Sequence, residues 1–160
     1  MRRIVIAKIY LAAPFFSDGQ HERINQVKEA LETNKTVSSI FVPEEHSYEH
    51  AEFGSLEWQK ATFTLDINNI YTADAVVAII DYKKEESDNE ADSGTAFEIG
   101  LAFGTNTPVI VVQFDAEKEL NLMISQALTA YFDASKGELS DLANYDFNEL
   151  MPKLANRPVI

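Results

Sequence analysis

Apolar and polar positions follow two rhythms along this chain, and the rhythms divide it into strands and helices. Residues 4–11 are rich in β-branched and aliphatic side chains and predict a first strand that stops at Ala13-Pro14. Ser17 or Asp18 then caps a helix reaching about Glu32, with Ile24, Val27 and Leu31 as its apolar stripe. Residues 39–42 predict a short second strand closed by Pro43, and the polar, aromatic stretch 44–54 a loop over one end of the sheet. Leu56, Phe63, Ile67 and Ile70 recur at helical spacing within 55–71 and predict a second helix with its stripe toward the sheet. The run 75–80 is apolar without a break, the pattern of a strand buried on both faces. An acidic loop over 81–92 leads to an apolar helix over 94–103. Residues 109–114 predict a fourth strand, 121–127 a short helix and 129–132 a fifth strand, before an irregular or helical tail.

Strands alternating with helices build parallel βαβ units, and right-handed crossovers favour a doubly wound sheet. The expected fold is therefore α/β, with about five parallel strands in the flavodoxin-like manner. No repeat, low-complexity segment or linker interrupts the 160 residues, so one domain over 1–160 is expected. Sheets of this kind bind ligands at the carboxyl ends of their strands. That rule gathers the 10–18 turn, the 43–54 loop, the 81–94 loop and the 114–123 segment at one mouth.

Composition narrows the partners. The 13 Lys+Arg stand against 26 Asp+Glu, a net charge of -13. A surface this acidic repels nucleic acid and anionic membranes but not an uncharged small molecule. Solubility alone also accounts for the acidity. Cysteine is absent, which removes disulfides, thiolate catalysis and cysteine-ligated metal, and which suits a cytoplasmic protein. His46 and His50 are four residues apart but fall in a loop with no second ligand set, so no metal site is expected. The basic, apolar N-terminus is interrupted by Lys8 and followed by Pro14-Phe15-Phe16-Ser17-Asp18, as a buried strand and turn rather than a signal peptide. No stretch approaches the roughly 20 apolar residues of a membrane span.

Three carboxylates stand out. Glu98 is the only ionisable residue from Ser93 through Phe114. A helix apolar nearly all round is a buried helix, where a carboxylate meets a desolvation penalty and a displaced pKa. A Glu on one solvated edge, or capping a backbone group, fits the same residues. Glu98 nevertheless lies just over one turn into a helix that starts at the sheet's mouth, where the helix dipole favours an anion. Asp66 is the only charge between Lys60 and Asp74 and lies on the flank of the second helix's stripe. A helix-edge hydrogen bond to a loop would also explain it. Asp92 precedes Ser93-Gly94, and its spacing alone reads as an N-cap. Phe15 and Phe16 at the mouth can stack on a planar base or simply pack in the core. Converging carboxylates suit chemistry in which one attacks an anomeric carbon and another manages protons.

The segments KIYLAAPFFSD, ATFTLDINNI, DSGTAFEIG and NLMISQ, with LANYDFNE near the end, resemble the nucleoside 2-deoxyribosyltransferases in order and interval over nearly the whole chain. The resemblance implies a ping-pong transfer of 2-deoxyribose between nucleobases through an ester on Glu98, in nucleoside salvage and without a cofactor. It implies that Tyr10 holds the nucleophile, that Asp66 and Asp92 contact substrate and assist protonation of the base, and that Phe15 stands beside the base. It further implies that Met123 lines the site and that a neighbouring subunit lends Asn121 to the sugar 5′-hydroxyl, in a homo-oligomer that is typically a hexamer built from dimers. Substrates would be 2′-deoxynucleosides and free purine or pyrimidine bases. Two departures bear on base preference. The loop EEHSYEH lacks the glutamine usual in members that take both base classes, and the chain ends in RPVI rather than an aromatic. The wording of APFFSD and SGTAFEIG is nearer the purine-specific branch.

Two other readings compete. A hydrolase of 2′-deoxynucleoside 5′-monophosphates would use the same fold and nucleophile but needs a phosphate cradle; Lys83, Lys84 and Lys118 are the lysines of the mouth segments, and Asn121 suits a hydroxyl better. A non-catalytic flavodoxin-like receiver would need an acidic cluster after the first strand, where Leu11-Ala12-Ala13-Pro14 stands. A plain ligand sensor is the remaining form of that reading.

Overall fold

The strands Ala7–Ala12 (β1), Val37–Phe41 (β2), Ala75–Ile79 (β3), Val109–Gln113 (β4) and Ala130–Asp133 (β5) form one sheet in the order β2-β1-β3-β4-β5. Every pairing is parallel, with Tyr10 opposite Val76, Val77 opposite Ile110 and Val112 opposite Phe132. This is the flavodoxin-like order expected from the alternation of elements. The computed structural model describes residues 6–86, 90–115 and 117–160. The first residues of the expected strand, 4 and 5, and part of the expected acidic loop, 87–89, lie outside them.

Five helices connect and cover the strands: Asp18–Glu32 (α1), Leu56–Thr72 (α2), Ser93–Gly104 (α3), Leu122–Ala127 (α4) and Leu139–Asn144 (α5). Side chains alternate across a strand with period two, so each strand feeds two cores. Ile9, Leu11, Val77, Ile79, Ile110, Val112 and Phe132 pack with Ile24, Val27 and Leu31 of α1 and Leu142 of α5. Tyr10, Ala12, Val76, Ala78, Val109, Val111 and Tyr131 turn the other way and pack with Ile70, Ile99, Ala102 and Ile124 of α2, α3 and α4. The central strands need apolar side chains on both faces, hence their unbroken runs.

Two expectations need correction. The stripe of α2 does not lie flat on the sheet, because Ile70 alone in that helix is fully buried while Leu56 and Phe63 are exposed. The outward face of α3 is open as well, with Phe97 54% and Phe103 59% exposed, so an all-apolar helix is not a buried one within this chain. Hydrophobic spacing reports that a face seeks cover, not which partner supplies it. The tail is helical at α5 and irregular after it, as expected, and it is tied back to the sheet. Leu120 pairs with Val159, Ala130 with Lys153, and the Arg157 guanidinium donates to the Tyr131 hydroxyl and the Lys118 carbonyl.

Ile110 lies in the middle of the sheet with no exposure. Its replacement by alanine is expected to cost about 2–5 kcal/mol of unfolding free energy in a urea titration. A loss below about 1 kcal/mol would contradict the two-faced core.

Candidate active site

Tyr10 is the residue around which the mouth is organised. The period-two alternation of β1 turns its ring to the α2–α3 side, where it has no exposure. Its hydroxyl donates to Glu98 Oε1 at 2.5 Å, the short end of hydrogen-bond geometry. Burial, then the nearby Glu98 charge, push the Tyr10 pKa far above its usual value, so the phenol stays a donor.

Glu98 comes from the second turn of α3, whose start is set by Asp92. The Asp92 carboxylate caps the helix, accepting the Thr95 N–H at 2.9 Å and the Thr95 hydroxyl at 3.2 Å. Glu98 is half-buried, and burial pushes its carboxyl up to about 7. The Tyr10 hydrogen bond works against that rise, while the Asp66 and Asp92 charges add to it. Asp66 on α2 is also half-buried, with Oδ1 closed off from solvent and without a hydrogen-bond partner. Burial raises it to about 6, partly opposed by His46. A carboxylate left unpaired in this manner is costly to the fold and often functional.

Tyr10, Glu98, Asp66 and Asp92 thus lie within electrostatic reach of one another. Phe15 and Phe16 contact each other at 5.1 Å between ring centroids. Phe15 packs against the α1-side core, whereas Phe16 is 67% exposed at the mouth. Asn121 and Met123 line a different space, a cavity of about 450 Å³ between α3 and α4 bounded also by Ile99, Phe103 and Ile160. Glu98 is not among its walls, because α3 turns it to the side opposite Gly100. The Asn121 side-chain oxygen caps α4 by accepting the Met123 and Ile124 N–H groups, at 2.9 and 3.4 Å. That leaves its amide nitrogen as a donor for something else.

One residue at the mouth has a place that its spacing to His50 does not reveal. His46 stacks on Phe41 at 4.5 Å and 8°, and Phe41 stacks on Tyr10 at 5.6 Å and 19°. The imidazole therefore ends a three-ring column that starts at the partner of Glu98. Its only sequence signal is its place just after the end of the second strand. Among the described residues no three carboxylate, histidine or cysteine side chains gather to hold a metal.

A model of the family described as nucleoside 2-deoxyribosyltransferase matches residues 9–148. A nucleoside deoxyribosyltransferase of Limosilactobacillus fermentum is 33% identical over 156 residues, covering 90% of this chain and 88% of the relative. One from Lactobacillus leichmannii is 30% identical, covering 72% and 76%. The solved structure of a 2-deoxyribosyltransferase from Bacillus psychrosaccharolyticus superposes with a TM-score of 0.79 at 33% identity, covering 93% of this chain and 99% of that one.

Both raised carboxyls hold their protons more tightly in the folded chain than in the unfolded one. Their contribution to stability is therefore greatest in acid and is lost as pH rises through about 7 for Glu98 and about 6 for Asp66. Glu98→Gln and Asp66→Asn should each gain up to about 3 kcal/mol over wild type at pH 8 and almost nothing at pH 4. Chemical denaturation at the two pH values measures this, and equal gains at both would contradict the burial argument.

Proposed function

The chain belongs to the nucleoside 2-deoxyribosyltransferase family, and we propose that it moves 2-deoxyribose between nucleobases through an ester on Glu98. The observation that carries this reading is a carboxylate desolvated at the sheet's mouth, with a phenol fixing one of its oxygens. Tyr10 restrains Oε1, and Oε2 attacks C1′ of a 2′-deoxynucleoside. The C1′–N bond breaks, and its electron pair leaves with the base. Asp66 protonates that base, and Asp92 holds α3 and the substrate in register. A second base then attacks C1′, the ester oxygen returns to Glu98, and the incoming base gives a proton back. Two inversions leave the anomeric configuration retained.

Phe15 stands beside the base. The chain carries no cofactor into this cycle, since the carboxylate supplies both the nucleophile and the leaving group. Salvage of nucleosides in the cytoplasm, with purines favoured, is the corresponding role.

Asn121, with Met123 beside it, serves the site of a neighbouring subunit in a homo-oligomer, a hexamer built from dimers. Their distance from Glu98's side of α3 supports this reading, as does the free amide nitrogen of Asn121. The exposed apolar surface of Phe97, Phe103, Leu122, Met123 and Ile160 supports it too, since a lone soluble chain gains nothing by leaving it in water. The net charge of -13 argues against nucleic acid and membrane partners.

Incubation with deoxyinosine and adenine should yield deoxyadenosine and hypoxanthine by chromatography. Glu98→Ala should lower that exchange at least about a thousandfold. Free deoxyribose as the sole sugar product would instead establish a hydrolase.

A further inference from the structure

Gln20, Arg23 and Asp81 are more than nine-tenths buried at the same mouth of the sheet, away from the Glu98 cluster. Gln20 Oε1 accepts the Phe16 N–H at 2.6 Å, and its Nε2 donates to the Tyr82 carbonyl at 2.9 Å. One turn on, Arg23 Nη1 donates to Glu85 Oε1 at 2.6 Å. The Asp81 carboxylate accepts the Phe114 N–H at 2.7 Å and the Asp115 N–H at 2.9 Å. The loop after β1 is thereby tied to the loop after β3, and that loop to the one after β4.

The ties are closely fitted. A Cβ on Gly19 would stand 2.4 Å from Glu85 Oε1, so any side chain there would make that carboxylate shift from its place beside Arg23. Arg23 also keeps Nε and Nη2 buried without partners, a cost that an apolar side chain at this position would avoid. Stability alone does not account for such a residue. Between the tied loops lies a cavity of about 460 Å³, lined by Phe16 from the first loop and Tyr82 from the second.

We propose that Gln20 and the Arg23–Glu85 pair are positioning residues that hold Phe16 and Tyr82 in place along that cavity to contact a planar purine. The proposal rests on the transferase reading for the identity of the ligand, but not for its test. Neither side chain touches the reacting atoms; both act through the walls they tie.

The test uses the full chain and calorimetric titration with adenine and with hypoxanthine, which needs no turnover. Gly19→Ala displaces the Glu85 carboxylate, and Gln20→Met removes the loop bridge. Each should weaken base binding about five- to tenfold, while Glu85→Gln, which keeps an oxygen for Arg23, should stay within about twofold of wild type. Gly19→Ala should melt no lower than wild type, because alanine is the better helix former. The Phe16 amide should exchange its hydrogen faster in Gln20→Met. Affinities equal to wild type in both Gly19→Ala and Gln20→Met, a loss that only tracks a falling Tm, or a wild type that binds neither base would each overturn the proposal. A wild type that binds base but exchanges no sugar counts against the transferase reading and leaves this one standing.

Discussion

The cost of keeping the Glu98 carboxylate out of water, and the single phenol that offsets part of it, organise this molecule's mouth. A carboxylate in an apolar helix would ordinarily keep its proton. Here the Tyr10 hydroxyl draws it back toward ionisation while Asp66 and Asp92 push the other way, leaving it near 7. That balance depends on the register of β1, because a shift of one residue would turn Tyr10 to the opposite face of the sheet. It depends equally on the start of α3, where the Asp92 cap fixes which turn presents Glu98. A carboxylate balanced in this way is ionised often enough to attack and little enough solvated to be reactive.

The parallel sheet supplies the frame, and polar side chains adjust it. All strands end at the same mouth, so five connections compete for one space there. Gln20 and Asp81 join those connections to one another through backbone groups, which leaves less freedom than side-chain contacts alone would. Beyond the mouth, the outer faces of α3 and α4 remain apolar and uncovered within one chain. A second copy of the chain would cover such a surface, and in the proposed reading Asn121 and Met123 beside it would join assembly to substrate binding.

Much of this was legible in the residues because the physics behind it is local. Strands buried on both faces must be apolar throughout, and β3 and β4 declare themselves that way. Glu98 is visible as a lone charge in an apolar run, and Asp92 as a cap by its spacing. What depends on distant packing was not legible. The apolar spacing of α2 predicts cover for Leu56 and Phe63, yet the sheet meets the helix only near Ile70. Gln20 and Arg23 look like solvated positions on α1 until the loop after β3 folds over them. His46 looked at most like a metal ligand, because nothing in its neighbours reveals the turn that stacks it on Phe41.

What matters most is whether residue 98 becomes bonded to sugar. Protein quenched during turnover of a slow 2-fluorinated deoxynucleoside donor, digested and read by mass spectrometry, should carry the added pentosyl mass on the peptide containing Glu98 and on no other. Label on a different residue, or turnover of that donor with no adduct on Glu98, would contradict the account.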